Sequence, residues 1–181
     1  MYTIAETFVG AGGAHIGFHQ AGFQSRYVLD IDKSSIETLK YNNAEILRSA
    51  HVETNDILKI KGEDILKKGK LQAGELDLFF GGIVCKGFSL AGERSPNDER
   101  NYFYHKQIEL ASVVKPKISV IENVKGIIFS KVLSPNTPIE IKQKVDLLWQ
   151  EIENYKGKKS YLRKSNNLTK EFEDYGIKLK N

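Results

Sequence analysis

The chain has 181 residues, 40% of them hydrophobic, enough for one domain with a continuous buried core. Met1 to Glu6 carries neither a basic stretch nor a following apolar run, and the longest apolar run, around Leu76 to Cys85, holds two glycines and is too short for a bilayer. These features argue against secretion or membrane insertion and make the cytoplasm the expected compartment. The net charge of +4 comes wholly from the C-terminal third, since residues 1–125 hold sixteen basic and sixteen acidic side chains and residues 126–181 hold eleven and seven.

Periodicity predicts alternating strands and helices. Tyr2 to Phe8 reads as a strand that ends in Gly10-Ala11-Gly12-Gly13, and the helix after it carries Ile16, Phe18 and Ala21 and stops at Gly22. Ser25 to Ile31 is a second strand and Ser34 to Asn42 a helix. Val52 to Ile57 is a short third strand, followed by a helix over Gly62 to Lys68. Leu76 to Phe80 is an apolar strand bounded by Gly81-Gly82. Tyr102 to Val114 is a helix that must stop before Pro116, and Ile118 to Glu122 is the fifth strand. Thr137-Pro138-Ile139-Glu140 reads as a capped helix start running to about Tyr155, and a last helix spans Thr169 to Tyr175.

Parallel strands need crossovers of a dozen or more residues, so this alternation implies an α/β fold, a doubly wound, mostly parallel sheet with helices on both faces. Ligands in such sheets lie at the carboxyl ends of the strands. Gly10 to Gly13, Asp30, Asp32, Asp56, Gly82 to Cys85 and Glu122-Asn123 all fall there. Counted from Gly10, the third position is Gly12 but the sixth is His15, so the pyrophosphate fingerprint of dinucleotide-binding proteins is not met. The glycines still let a ligand touch backbone, and the helix start offers amides to a carboxylate. Asp30 could accept hydrogen bonds from ribose hydroxyls and Asp56 one from an adenine amino group. Together they outline an adenosine with an amino-acid tail, S-adenosyl-L-methionine.

Cys85, the only cysteine, cannot form an intramolecular disulfide and is free for chemistry. Its glycine-flanked loop follows a strand, and Glu122 ends the next one. A thiol and a carboxylate so placed form a candidate nucleophile and proton donor. His15 and His19 stand four apart on one helix face with no carboxylate to support a metal, which predicts surface histidines. Tyr155 to Lys164 is basic with two interleaved tyrosines and could follow a phosphate backbone or form a solvated loop.

The chain resembles the DNA cytosine-5 methyltransferases. Phe8-Val9-Gly10-Ala11-Gly12-Gly13 with Ala21-Gly22-Phe23 is similar to the family's first motif. Gly82-Ile83-Val84-Cys85-Lys86-Gly87-Phe88-Ser89 resembles its nucleophile loop, Asp98-Glu99-Arg100 with Tyr102-Phe103 the segment after it, and Lys115-Pro116-Lys117 leading to Glu122-Asn123-Val124 its glutamate motif. The resemblance covers residues 2–126, the motif-bearing core of a single 1–181 domain, with 127–181 as a helical, basic C-terminal segment.

That resemblance implies a Rossmann-like S-adenosylmethionine-dependent methyltransferase fold. Phe8 would stack on the adenine, Ile31 would face it from the other side, and Asp56 with Ile57 would border it. Gly10, Ala11, Gly12 and Gly13 would hold the methionine portion and Asp30 the ribose, with Gly82 at the cofactor. Cys85 would attack C6 of a cytosine flipped out of double-stranded DNA, Glu122 would protonate N3, and Asn123 would order the loop. Partial burial would favour the protonated, donating form of Glu122.

Four positions depart from the family pattern: Val84 replaces proline, Lys86 glutamine, Asn101 a frequent glycine and Glu6 aspartate. No Gln-x-Arg-x-Arg follows Val124, and a target-recognition domain is expected to be absent, so the core reads as C-terminally truncated. Two readings follow: one part of a split or truncated restriction-modification methyltransferase completed by a second polypeptide, or a non-catalytic S-adenosylmethionine-binding subunit or inactive remnant. A relative acting on transfer RNA is a third.

Overall fold

The computed structural model describes residues 1–84, 97, 99–129, 133, 134, 136–155, 167, 170 and 171. In chain order the elements are β1 (Tyr2–Thr7), α1 (Gly13–Gln20), β2 (Phe23–Asp30), α2 (Lys33–Asn43), β3 (His51–Thr54), α3 (Gly62–Gly69), β4 (Leu78–Gly82), α4 (Phe103–Val114), β5 (Ile118–Glu122), α5 (Gly126–Phe129) and α6 (Ile139–Tyr155). The strands form one sheet in the order β3-β2-β1-β4-β5, and every neighbouring pair is parallel. The chain therefore winds outward from β1 in both directions, as the alternation of elements predicts.

Alternation along the strands assigns the two faces of the sheet. Ala5, Tyr27, Leu29 and Phe79 pack with Ile65 of α3 and Leu110 and Val114 of α4, while Val28 packs with Ile36 and Leu39 of α2 on the opposite face. Apolar packing thus lies on both faces of the sheet.

Several boundaries differ from the sequence expectation for identifiable reasons. β1 ends at Thr7 because Phe8 adopts a left-handed backbone, φ 56°. β3 stops at Thr54, short of Ile57, because Asp56 turns the chain and its Oδ1 accepts the Leu58 amide at 3.0 Å to cap a short 3₁₀ turn, Ile57–Lys59. β4 includes Gly81 and Gly82, which the sequence places beyond it. A Cβ on Gly81 would lie 2.8 Å from Gln107 Cδ, so glycine here permits close approach of α4. α6 begins at Ile139, after Pro138, whose carbonyl accepts the Ile141 and Lys142 amides. Of the expected helix Thr169 to Tyr175, only Lys170 and Glu171 are described, and both are helical; the basic stretch after Tyr155 lies outside the described residues.

The chain gathers into two compact units. The first, Met1–Val84 with Phe103–Asn123, holds the whole sheet and α1 to α4. The second is drawn from residues 85–102 and 124–181; within it the Asn97 amide donates to Asp146 at 2.8 Å and the Tyr102 hydroxyl to the Leu133 carbonyl at 2.7 Å. Among the described residues no helix is long and apolar enough to cross a membrane.

One carboxylate ties the amino ends of three strands. Asp77 accepts from the Thr3 amide at 2.7 Å and the Thr3 hydroxyl at 3.0 Å, and pairs with Lys117 Nζ at 2.6 Å. The hydrogen bond from Lys117, followed by that from the Thr3 amide, holds the Asp77 carboxyl down to about 2. An unfolded aspartate titrates near about 3.9. The folded value is lower, so this stabilisation is present above that pH and is lost as the pH falls toward about 2. Urea midpoints measured from pH 5 to pH 2 are expected to fall across that window, with a shallower fall in Asp77→Asn.

Candidate active site

The candidate site is built where β1 turns into α1. Phe8 leaves the strand with φ 56°, a conformation that costs a non-glycine residue on the order of 1–2 kcal/mol. The turn is fastened on both sides. The Val9 amide donates to the Leu29 carbonyl at 3.1 Å, and the Gly10 amide to Asp30 Oδ2 at 2.8 Å. Gly12, φ 94°, precedes the first turn of α1, and a Cβ there would sit 2.4 Å from Leu39 Cδ1, so only glycine lets the turn lie flush against α2. Gly10 and Gly13 have open space where a Cβ would be, and Ala11 is exposed. Among the described residues no side chain caps α1, so its first amides lack a side-chain acceptor there.

Asp30 does more than end a strand. Its Oδ2 accepts from Gly10 and its Oδ1 from the Asp32 amide at 2.9 Å, so the carboxylate fixes two loops while each oxygen retains a lone pair. Asp56 uses one oxygen on the Leu58 amide. Phe8, Asp30, Ile31, Asp56 and Ile57 line one cavity of about 80 Å³, well below the volume of a whole nucleoside pocket and suited to the flat edge of a ring. Ile31 is 69% exposed at its rim, whereas Ile57 is buried.

Four further residues line this cavity, Leu29, Asn55, Val84 and Phe103; the sequence had marked Val84 only as the replacement of a family proline and Phe103 only as part of the motif after the cysteine loop. Phe103 is the most informative. Its ring lies 5.5 Å from that of Phe8, centroid to centroid, at 38°. An aromatic opening a helix just after Asp98-Glu99-Arg100 was the available signal.

Gly82 ends β4 outside the cavity wall; a Cβ there would lie 3.8 Å from the Phe8 carbonyl oxygen, so its backbone runs beside the glycine turn. It stands in register with Glu122, the last residue of β5. Glu122 is exposed, so the described residues do not supply the burial expected of a proton donor. Asn123 donates to the Ile83 carbonyl at 3.2 Å, across from β5 to the segment entering the cysteine loop. Cys85 lies outside the described residues; Val84, immediately before it in sequence, lines the cavity.

The histidine expectation is corrected. His19 is exposed, but His15 is 1% exposed, with Nδ1 bonded to the carboxylate of Glu6, itself 1% exposed, and 3.2 Å from Ser25 Oγ. The carboxylate absent from the helix is supplied by the neighbouring strand.

The family model for C-5 cytosine-specific DNA methylases matches residues 2–171. The chain belongs to this family. S-adenosylmethionine is the cofactor that membership implies. Within the family, the chain is 32% identical over 126 residues to the Type II methyltransferase M.XorII of Xanthomonas oryzae pv. oryzae, covering 70% of this chain and 29% of that protein. It is 38% identical over 122 residues to M.AquIA of Picosynechococcus sp., covering 67% and 48%. It also resembles the crystal structure of a putative DNA modification methyltransferase from an E. coli prophage, with a TM-score of 0.58 and 26% identity, over 80% of this chain and 36% of that one. The chain thus spans less than half the length of these methylase relatives.

The residues present fit such a group: the glycine turn leaves backbone open, and each Asp30 oxygen keeps a lone pair for a further donor. Asp30→Asn retains one acceptor oxygen for two backbone amides. Loss of one such charge-assisted bond predicts affinity for S-adenosylhomocysteine lower by on the order of tenfold or more, measured by calorimetry.

Proposed function

We propose that the chain is the cofactor-binding and catalytic portion of an enzyme that methylates C5 of cytosine in DNA. The observation that carries this reading is the convergence of Phe8, Asp30, Ile31, Asp56 and Ile57 on one cavity whose wall includes Val84, the residue before Cys85, with Glu122 in register beside the same strand end. Phe8 and Ile31 bracket the adenine, Asp56 accepts from its amino group, Asp30 holds the ribose, and Gly10 to Gly13 with Ala11 leave backbone open to the methionine portion. Gly82 lets the cysteine loop leave the sheet close to that cofactor.

The chemistry requires both polar groups. C5 of cytosine is a poor nucleophile, but addition of the Cys85 thiolate at C6, with Glu122 protonating N3, moves electron density to C5. Bound S-adenosylmethionine supplies the electrophilic methyl group. Loss of the C5 proton and expulsion of Cys85 restore the ring. A free thiol titrates near about 8.5, so Cys85 needs a positive neighbour to ionise, and Lys86 follows it directly. Extruding the base costs a few kcal/mol, offset by contacts in the pocket.

The partners in this reading are double-stranded DNA with a flipped cytosine and a second polypeptide carrying the target-recognition region. Support for the latter comes from β5, an edge strand exposed at every position, with Ile118 at 61% and Val120 at 39%. Parallel strands are ordinarily covered on both faces, and an apolar open edge invites another strand. The relatives carry more than twice the matched length, and chain of that kind on a second polypeptide is the occupant we assign.

DNA containing 5-fluorocytosine, incubated with S-adenosylmethionine and the chain together with a C-terminal fragment of a relative, is expected to give a covalent adduct visible as a mass shift. The adduct disappears in Cys85→Ser and is strongly reduced in Glu122→Gln. Absence of any adduct, with S-adenosylmethionine still bound, overturns the enzyme reading in favour of a binding subunit.

A further inference from the structure

β1 is gripped through two consecutive polar residues on its opposite faces, Glu6 by His15 of α1 and Thr7 by Gln107 of α4. The second grip has the more specific consequence. Thr7 and Gln107 are each 0% exposed, and the Thr7 hydroxyl donates to Gln107 Oε1 at 2.7 Å. The amide is wedged flat against β4, because a Cβ on Gly81 would lie 2.8 Å from Gln107 Cδ, 2.9 Å from Nε2 and 3.1 Å from Thr7 Oγ1. Gln107 Nε2 finds no hydrogen-bond partner among the described residues. Burying an unpaired amide donor is destabilising, a cost that an apolar side chain of the same length would avoid.

Phe103 stands one turn before Gln107 on the same face of α4, and Phe8 follows Thr7, the last residue of β1. Two contacts therefore run side by side from α4 to the end of β1: the Gln107–Thr7 hydrogen bond and the Phe103–Phe8 ring contact at 5.5 Å. Ring contacts tolerate sliding, whereas a 2.7 Å hydrogen bond fixes how the helix sits along the strand. We propose that Gln107 is a positioning residue for the cofactor cavity: through Thr7 it sets the Phe103 ring against Phe8 and holds Phe8 in its left-handed turn. This rests on reading that cavity as the adenosylmethionine site, and the role is separate from the residues that touch the cofactor.

Thr7→Val and Gln107→Met each strand a buried polar partner and are expected to lower stability. The double variant removes both, so its thermal midpoint is expected to return toward the parent. If Gln107 only fills space, binding returns with it. If it positions the cavity, the refolded double variant still binds S-adenosylhomocysteine weaker by on the order of tenfold. In the full chain without ligand, the amides of Val9, Gly10 and Gly12 then exchange several-fold faster by NMR. Parent-like affinity and exchange in the double variant overturn the proposal. A parent chain that does not bind S-adenosylhomocysteine overturns the cofactor reading alone, and the exchange rates then decide this inference. Where the double variant fails to fold, Thr7→Ser, which keeps the hydroxyl, is expected to match the parent in exchange while Thr7→Val does not; equal exchange in the two overturns the proposal.

Discussion

The hydrogen bond from the Gly10 amide to the Asp30 carboxylate crosses from the end of β1 to the end of β2, and the cavity is built around it. Without it the glycine turn would keep only the Val9–Leu29 hydrogen bond as its tie to β2. With it, the left-handed Phe8 is held between two fixed points, the strand behind and the carboxylate ahead. The same carboxylate fastens the Asp32 amide, and Asp32 in turn caps α2 through Ser34 and Ser35. A single acidic side chain thus joins the turn before α1 to the start of α2, and the cavity inherits the rigidity of the sheet.

The two faces of β1 share a logic. A parallel sheet buried on both sides is expected to be apolar, yet Glu6 and Thr7 are both buried there, and each is bonded to a helix, Glu6 accepting in addition from Ser25 of β2 at 3.5 Å. Buried polar pairs are costly if incomplete, and Glu6 Oε1, His15 Nε2 and Gln107 Nε2 have no partner among the described residues. Their value lies in direction. Apolar contacts alone leave helices free to slide over a sheet, whereas a hydrogen bond on each face fixes α1 and α4 against the strand that delivers the glycine turn.

Much of this was legible in the sequence. Strand and helix alternation identified the doubly wound sheet, because parallel crossovers leave a regular periodicity, and the glycine spacing located the turn because only glycine fits φ 94° against Leu39. Asp30 and Asp56 were legible as acids near the carboxyl ends of strands, where ligands lie in such sheets, whereas Phe8 was read as part of its strand and took its expected role from the family resemblance alone. Phe103 and Gln107 were not legible, since both come from a helix whose rotation over the sheet is a tertiary fact. His15 misled for the same reason: its carboxylate partner lies nine residues back on a different element, outside the helical spacing that makes neighbours visible. The end of β3 failed for a local reason, with Asp56 choosing to cap a turn over extending a strand.

The exposure of Glu122 bears on how the proposed reaction would be organised. The cavity read as the cofactor site is lined by residues of one compact unit. Glu122 is different: it ends an edge strand that is exposed at every position, and a proton donor to N3 must be shielded from water while it acts. In this fold the shielding has to come from what covers β5 and from the flipped base itself. On the proposed reading, cofactor capture and catalysis would sit apart, the first at a cavity lined from the ends of β1, β2, β3 and β4 and from α4, the second at Glu122 on the edge strand, with DNA and a partner. Under the proposed mechanism such a division would make methyl transfer conditional on base entry, because the carboxylate would be completed as a donor only when its substrate arrives.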